Sequence, residues 1–150
     1  MMKKILFIIL LSISLPSIAE VKSILPAGDD GPEQCQTLRG FISFTQNVYN
    51  FAYTGQYSLQ AADEKVSAYA MESIARDGAY SLSSMASYQD LIAMARQIRT
   101  QIFNGKLPTS KWRDQQIIIQ NRCIEMVRSD PTIDNSSYGR AIDYRQLRNR

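Results

Sequence analysis

The chain has 150 residues, 45% of them hydrophobic, with 17 basic and 14 acidic side chains and a formal net charge of +3. It has no histidine, which excludes His-based triads, Cys–His dyads, most zinc sites and the ordinary pH switch near neutrality. The near balance of charge lacks the basic excess of a nucleic-acid binder, and no cofactor motif is present.

The chain opens on Met1-Met2-Lys3-Lys4, a basic start. Ile5 to Leu15 is an apolar run broken only by Ser12 and Ser14. Pro16-Ser17-Ile18-Ala19 ends it with small residues at the two positions a signal peptidase reads. Residues 1–19 therefore read as a secretory signal peptide. The run Ile5–Ile18 is 14 residues long, short of the ~20 that span a bilayer, and no later run is comparable. The expected mature chain starts near Glu20, has no transmembrane segment and works in the periplasm rather than as a fully secreted protein. Residues 20–150 form a single domain in this reading. Without Lys3 and Lys4 it has 15 basic and 14 acidic side chains, a net charge of +1.

Residues 20–31 hold Pro26, Gly28 and Gly31 and read as a flexible lead-in. A first helix starts behind Asp30 or Gly31 as the cap, with Pro32 at its first position and Glu33 at the positive end of its dipole. Cys35, Leu38, Ile42, Thr45, Tyr49 and Ala52 follow at steps of three and four, one face of a helix. Phe41, Phe44, Val48 and Phe51 widen that stripe, so the helix is expected to be buried over much of its girth. Gly55 ends it. A second helix runs from Ser58 to Arg76 on Leu59, Ala62, Val66, Tyr69, Ala70 and Ile74, and Asp77-Gly78 closes it. A Ser-rich joint over 79–87 carries Tyr80, Leu82 and Met85. A third helix runs from Ser87, its cap, to Phe103 on Leu91, Met94, Ala95, Ile98 and Ile102, with Asp90 in its first turn. Asn104-Gly105 ends it.

The fourth helix runs from Ser110 to Arg128. Trp112, Ile119, Cys123 and Met126 share a face. Ile117-Ile118-Ile119 favours strand by propensity, but the longer period and the Asp130-Pro131 terminus favour helix. Residues 130–150 are a C-terminal segment in which Ile142–Asn149 is a candidate short fifth helix. Four amphipathic helices on short connectors give an all-α antiparallel, up-down four-helix bundle. There is no sequence repeat.

Cys35 and Cys123, 88 positions apart, are expected to pair in an oxidising compartment. An up-down bundle brings the start of its first helix to the late part of its fourth, so these two can meet.

No motif carries a recognisable reaction. Asp63, Glu64, Glu72, Asp77, Asp90, Asp114 and Glu125 are scattered and read as solvated or helix-end charges, Glu125 as a surface partner of Arg122 and Arg128. The serines lack a nucleophile elbow, and nothing has metal-ligand spacing. No catalytic residue or metal ligand is assigned, and the chain is read as a non-enzyme. Tyr49, Tyr53 and Tyr57 recur every fourth residue at the edge of the expected core.

Partner binding is the remaining candidate. Tyr80, Leu82 and Met85 in the joint either enter a partner's cleft or cap the bundle. Tyr138, Arg140, Tyr144, Arg145 and Arg148 near the C-terminus combine the residue types that dominate binding hot spots. By size and architecture the chain is similar to small exported bacterial helical proteins: immunity proteins, periplasmic chaperones and accessory parts of secretion or conjugation machines. The expectation is an exported protein-binding protein, an immunity protein or inhibitor acting on a toxin or wall hydrolase. A structural part of an envelope machine is the first alternative, and an Asp/Glu-dependent wall hydrolase the second.

Overall fold

The computed structural model describes residues 20–75 and 82–129. They form an all-helical bundle of four helices: α1 (Glu33–Tyr53), α2 (Leu59–Ala75), α3 (Tyr88–Phe103) and α4 (Trp112–Ser129). Single 3-10 turns at Leu82–Ser84 and Thr109–Lys111 precede α3 and α4. The expected fifth helix and the signal peptide lie outside the described residues.

α1 packs against each of the other three helices, and α2 also packs on α3. This explains its unusually wide buried surface, which takes in Leu38, Phe41, Ile42, Thr45, Val48 and Tyr49. Cys35 meets Cys123, Arg39 meets Gln120, and Gln46 meets Gln115. Toward α2, Phe44 stacks on Tyr69 at 4.3 Å, while Tyr49 reaches Asp63.

Local chemistry sets the helix ends. The start of α1 differs from the expectation, because its cap is Pro32 rather than Asp30 or Gly31. The Pro32 carbonyl accepts from the amides of Cys35 and Gln36, both at 3.0 Å. Asp29 Oδ1 is occupied by the Gly31 amide at 2.9 Å, a local turn that competes with capping. The α3 start is a full capping box: Asp90 N donates to Ser87 Oγ and Ser87 N to Asp90 Oδ2. Ser58 Oγ accepts from Ala61 N at the start of α2. The isoleucine triplet is helical, with Ile117 and Ile119 buried in α4.

The connectors after α1 and α3 are the same device. Gly55 and Gly105 sit at φ +85° and +77°. Gln56 N donates to Phe51 O at 2.8 Å and Gly55 N to Ala52 O at 3.1 Å. Lys106 N donates to Gln101 O at 2.9 Å and Gly105 N to Ile102 O at 3.2 Å. Both are Schellman turns, in which a left-handed glycine lets the chain satisfy the last helical carbonyls. The apolar residue that follows, Tyr57 or Leu107, turns back toward the bundle.

The Cys35–Cys123 disulfide is formed, with Cα atoms 5.6 Å apart. Both cysteines are fully buried, and Met85 Sδ lies 3.7 Å from Cys123 Sγ. Beside this staple lies the segment expected as a flexible lead-in. Part of it lies against the bundle. Val21 is buried, Asn121 Nδ2 donates to Lys22 O, and Asn121 Oδ1 accepts from Ile24 N. One side-chain amide thus grips two backbone groups of an extended strap. No helix among the described residues is long and apolar enough to cross a membrane.

Candidate functional site

The candidate site is a cleft of ≈ 420 Å³ between α2 and α3. On α3, Ile92, Ala95, Arg96 and Arg99 follow at helical spacing and form one wall. Asp63, Val66 and Ser67 of α2 form the other, and Tyr49 of α1 completes it.

Its polar centre is built by three helices. The Tyr49 hydroxyl donates to Asp63 Oδ1 at 2.6 Å. Arg99 Nη1 donates to Asp63 Oδ1 and Oδ2 at 3.1 and 3.2 Å. The side chains of Arg99 and Asp63 keep 31% and 42% of their exposure, so the pair is neither dry nor fully solvated. Tyr49 needs this partner, because it lies on the buried stripe of α1 and its hydroxyl has to be satisfied. Burial pushes its phenol above the ordinary 10.0, and the hydrogen bond to Asp63 and that carboxylate's charge push the same way. Arg99 and Arg96 pull it partly back. The phenol is therefore a donor, not a nucleophile, at neutral pH.

The other acidic residues do not gather. Asp90 is spent in the capping box. Glu64, Glu72 and Glu125 are exposed, and Glu64 accepts from Gln60 of its own helix. The surface pair expected between Glu125 and its neighbouring arginines is not formed. Among the described residues the ion pairs are Lys22–Glu20 at 3.9 Å and Arg99–Asp63 at 3.1 Å. No group of three metal-ligating side chains is present among the described residues. Asp77 lies outside them.

Of the partner-binding candidates, Leu82 and Met85 are in the core, each 1% exposed. Their side chains cap the bundle from within rather than standing out toward a partner. The 3-10 turn at Leu82–Ser84 aims them there, packing on α1 and α2. Tyr80, Tyr138, Arg140, Tyr144, Arg145 and Arg148 lie outside the described residues.

The tyrosines spaced by four meet three different fates. Tyr49 is buried on Asp63. Tyr57 stands edge-on to Phe51 at 5.4 Å, under the Lys65 ammonium. Tyr53 is 55% exposed at the end of α1 and meets Phe103, 42% exposed at the end of α3, with ring centroids 5.5 Å apart. These two rings are the last helical residues before the two Schellman turns, so matched turns present them side by side.

Arg96 and Arg99 lie off the apolar stripe of α3, and no motif in the sequence marks the cleft. The signal available was Tyr49, a phenol on a buried stripe with no charged residue one turn away on its own helix. Phe103 was missed as well, because only packing shows that the α1 and α3 ends adjoin.

No family model matches the chain, and no curated protein or solved structure matches it.

Proposed function

We propose that the chain is an exported, non-catalytic protein-binding protein of the bacterial envelope, an immunity protein or inhibitor that neutralises a toxin or wall hydrolase. In this reading residues 1–19 are a signal peptide, the mature chain works in the periplasm, and its helices form an up-down antiparallel bundle. The opposed numbering along the α1–α4 and α1–α2 contacts supports that topology. The disulfide supports export, because such bonds persist in oxidising compartments.

The observation that carries the binding reading is the Tyr53–Phe103 pair. Two large rings are held edge-to-face and left open to solvent at one end of the bundle. Exposed aromatic side chains that are already ordered lose little conformational freedom on binding, and they are the residues that anchor protein interfaces. The acids support a non-catalytic role, since Asp63 and Asp90 are held in structural bonds.

The test is site-specific photo-crosslinking in the native host, with a photoreactive phenylalanine in place of Tyr53. The expected product is one adduct with one envelope protein, formed one-to-one and lost when Phe103 is changed to Ser. Absence of any adduct overturns the reading. A ladder of large assemblies overturns it in favour of a machine component.

A further inference from the structure

The seam between two helices of a bundle is ordinarily apolar, yet the α2–α3 cleft carries two guanidiniums and one carboxylate. Asp63 is already satisfied. Its Oδ1 takes both the Tyr49 hydroxyl and Arg99 Nη1, and its Oδ2 takes the same Arg99 nitrogen. Arg99 thereby commits a single nitrogen of its fork, which leaves Nε and Nη2 outside the pairing. Arg96 is in no ion pair among the described residues. The positions one turn away on its own helix, Ile92, Ala93, Arg99 and Thr100, offer it no carboxylate. Toward α2, the acid that lines the cleft is Asp63, already held. The cleft thus has a net charge of +1 and two guanidiniums with donors to spare, one helical turn apart.

We propose that the α2–α3 cleft binds one carboxylate group, held by Arg96 and Arg99 with the Ser67 hydroxyl beside it. The planar fork of arginine matches a carboxylate with two parallel hydrogen bonds. Charge selects carboxylate over phosphate, because a monoanion neutralises the cleft whereas a phosphate dianion would be left facing Asp63 with excess charge. Asp63 and Tyr49 act as positioning residues that fix Arg99 against the wall. The carboxylate comes from a free small acid or from the end of a peptide. Neither source depends on the Tyr53–Phe103 surface.

The experiment follows backbone amide shifts of the full mature chain during titration at constant ionic strength. The probes are acetate, inorganic phosphate at a pH where the dianion dominates, and a short peptide with its C-terminus free or amidated. Acetate should give saturable shifts over residues 63–67 and 92–99. Affinity should fall at least tenfold in Arg96→Gln and be unchanged in Arg113→Gln, an exposed arginine of α4. Arg96→Lys keeps the charge and the aliphatic stem, so a weakening there reports the lost fork with the fold intact. Tighter binding of the free-ended peptide than of acetate, abolished by amidation, identifies a peptide terminus. Equal binding of the two identifies the free acid. Shifts that do not saturate, shifts equal in Arg96→Gln, or phosphate binding tighter than acetate would overturn the proposal.

Discussion

Gln46 Nε2 donates to Gln115 Oε1 at 2.9 Å inside the α1–α4 seam, where both side chains are buried. Each amide also has other work. Gln46 Nε2 reaches Trp112 O at 3.2 Å, Gln46 Oε1 accepts from Gln116 Nε2 at 2.7 Å, and Gln115 Nε2 passes on to Gln101 of α3 at 2.8 Å. Further along the seam Arg39 donates to Gln120 at 2.8 Å. A chain of amides thus joins α1, α3 and α4 in one register, since a slip by one turn would leave several buried groups without partners.

Removing one member of that chain should cost more than its own bonds. Gln46→Leu keeps the bulk but strands Gln115 Oε1 and Gln116 Nε2, a penalty of about 1–3 kcal/mol. The double variant Gln46→Leu, Gln115→Leu removes both partners and is expected to be less destabilised than the sum of the singles, with a coupling of about 0.5 kcal/mol or more. Urea unfolding of the four species of this cycle measures it, and additivity would show that the bonds are not shared.

The disulfide should dominate stability. It closes a loop of 88 positions, for which the chain-entropy account gives roughly 4–5 kcal/mol. Cys35→Ser should lower the melting temperature by more than about 10 °C under oxidising conditions. Because both cysteines are fully buried, mild reductant alone should leave the native bond intact, and thiol labelling should appear only when denaturant opens the bundle. Labelling of the folded protein at the rate of the unfolded one would contradict that burial.

The Tyr49 phenol makes a prediction about alkaline pH. Its folded pKa lies above the unfolded value of 10.0, so the native state holds a proton that the unfolded chain releases. The contribution to stability is whole below pH 10 and declines as pH rises beyond it. Melting temperature should therefore fall above pH 10, and Tyr49→Phe, which has no proton to lose, should flatten the decline. At neutral pH the same variant should cost about 1 kcal/mol for the lost bond to Asp63. Absorbance at 295 nm, followed against pH, checks the assignment. Ionisation of Tyr49 should wait for unfolding in the wild type, and the part of the signal tied to unfolding should shrink by one phenol in Tyr49→Phe.

The limits of α3, the end of α1 and the cysteine pairing were legible in the sequence because their causes are local or unique. Ser87 and Asp90 spell a capping box within four positions, Gly55 and Gly105 each stand where a helix has to stop, and two cysteines allow one bridge. Residues whose roles depend on a distant partner were not legible. Asp63 and Arg99 are 36 positions apart, and each looks like an ordinary solvated charge on its own helix. Leu82 and Met85 sit in a Ser-rich joint, where composition does not tell a core plug from an exposed anchor. The repetition of the α1 and α3 turns was hidden because Thr54-Gly55-Gln56-Tyr57 and Asn104-Gly105-Lys106-Leu107 share one residue. What they share in full is a glycine conformation and a set of hydrogen bonds.

Those two turns give the most direct test of the backbone. An added Cβ at Gly55 or Gly105 would meet nothing within 4 Å, so packing imposes no cost. The strain is in the left-handed backbone, φ +85° and +77°, and for an L-residue it amounts to roughly 1–2 kcal/mol. Some of this is offset by the lower entropy of the unfolded alanine chain. Gly55→Ala and Gly105→Ala should each destabilise by about 1 kcal/mol net. Gly40 is the internal control. It lies inside α1 with an ordinary helical backbone, and the nearest atom to an added Cβ is the Tyr69 hydroxyl oxygen at 3.7 Å, an ordinary contact. Gly40→Ala should therefore stabilise the protein, by roughly 0.5–1 kcal/mol. Chemical denaturation of the three variants reads opposite signs for one substitution. A loss at Gly40 would mean that α1 is packed too tightly there for a methyl group, and no loss at Gly55 and Gly105 would mean that the two turns do not rest on left-handed glycines.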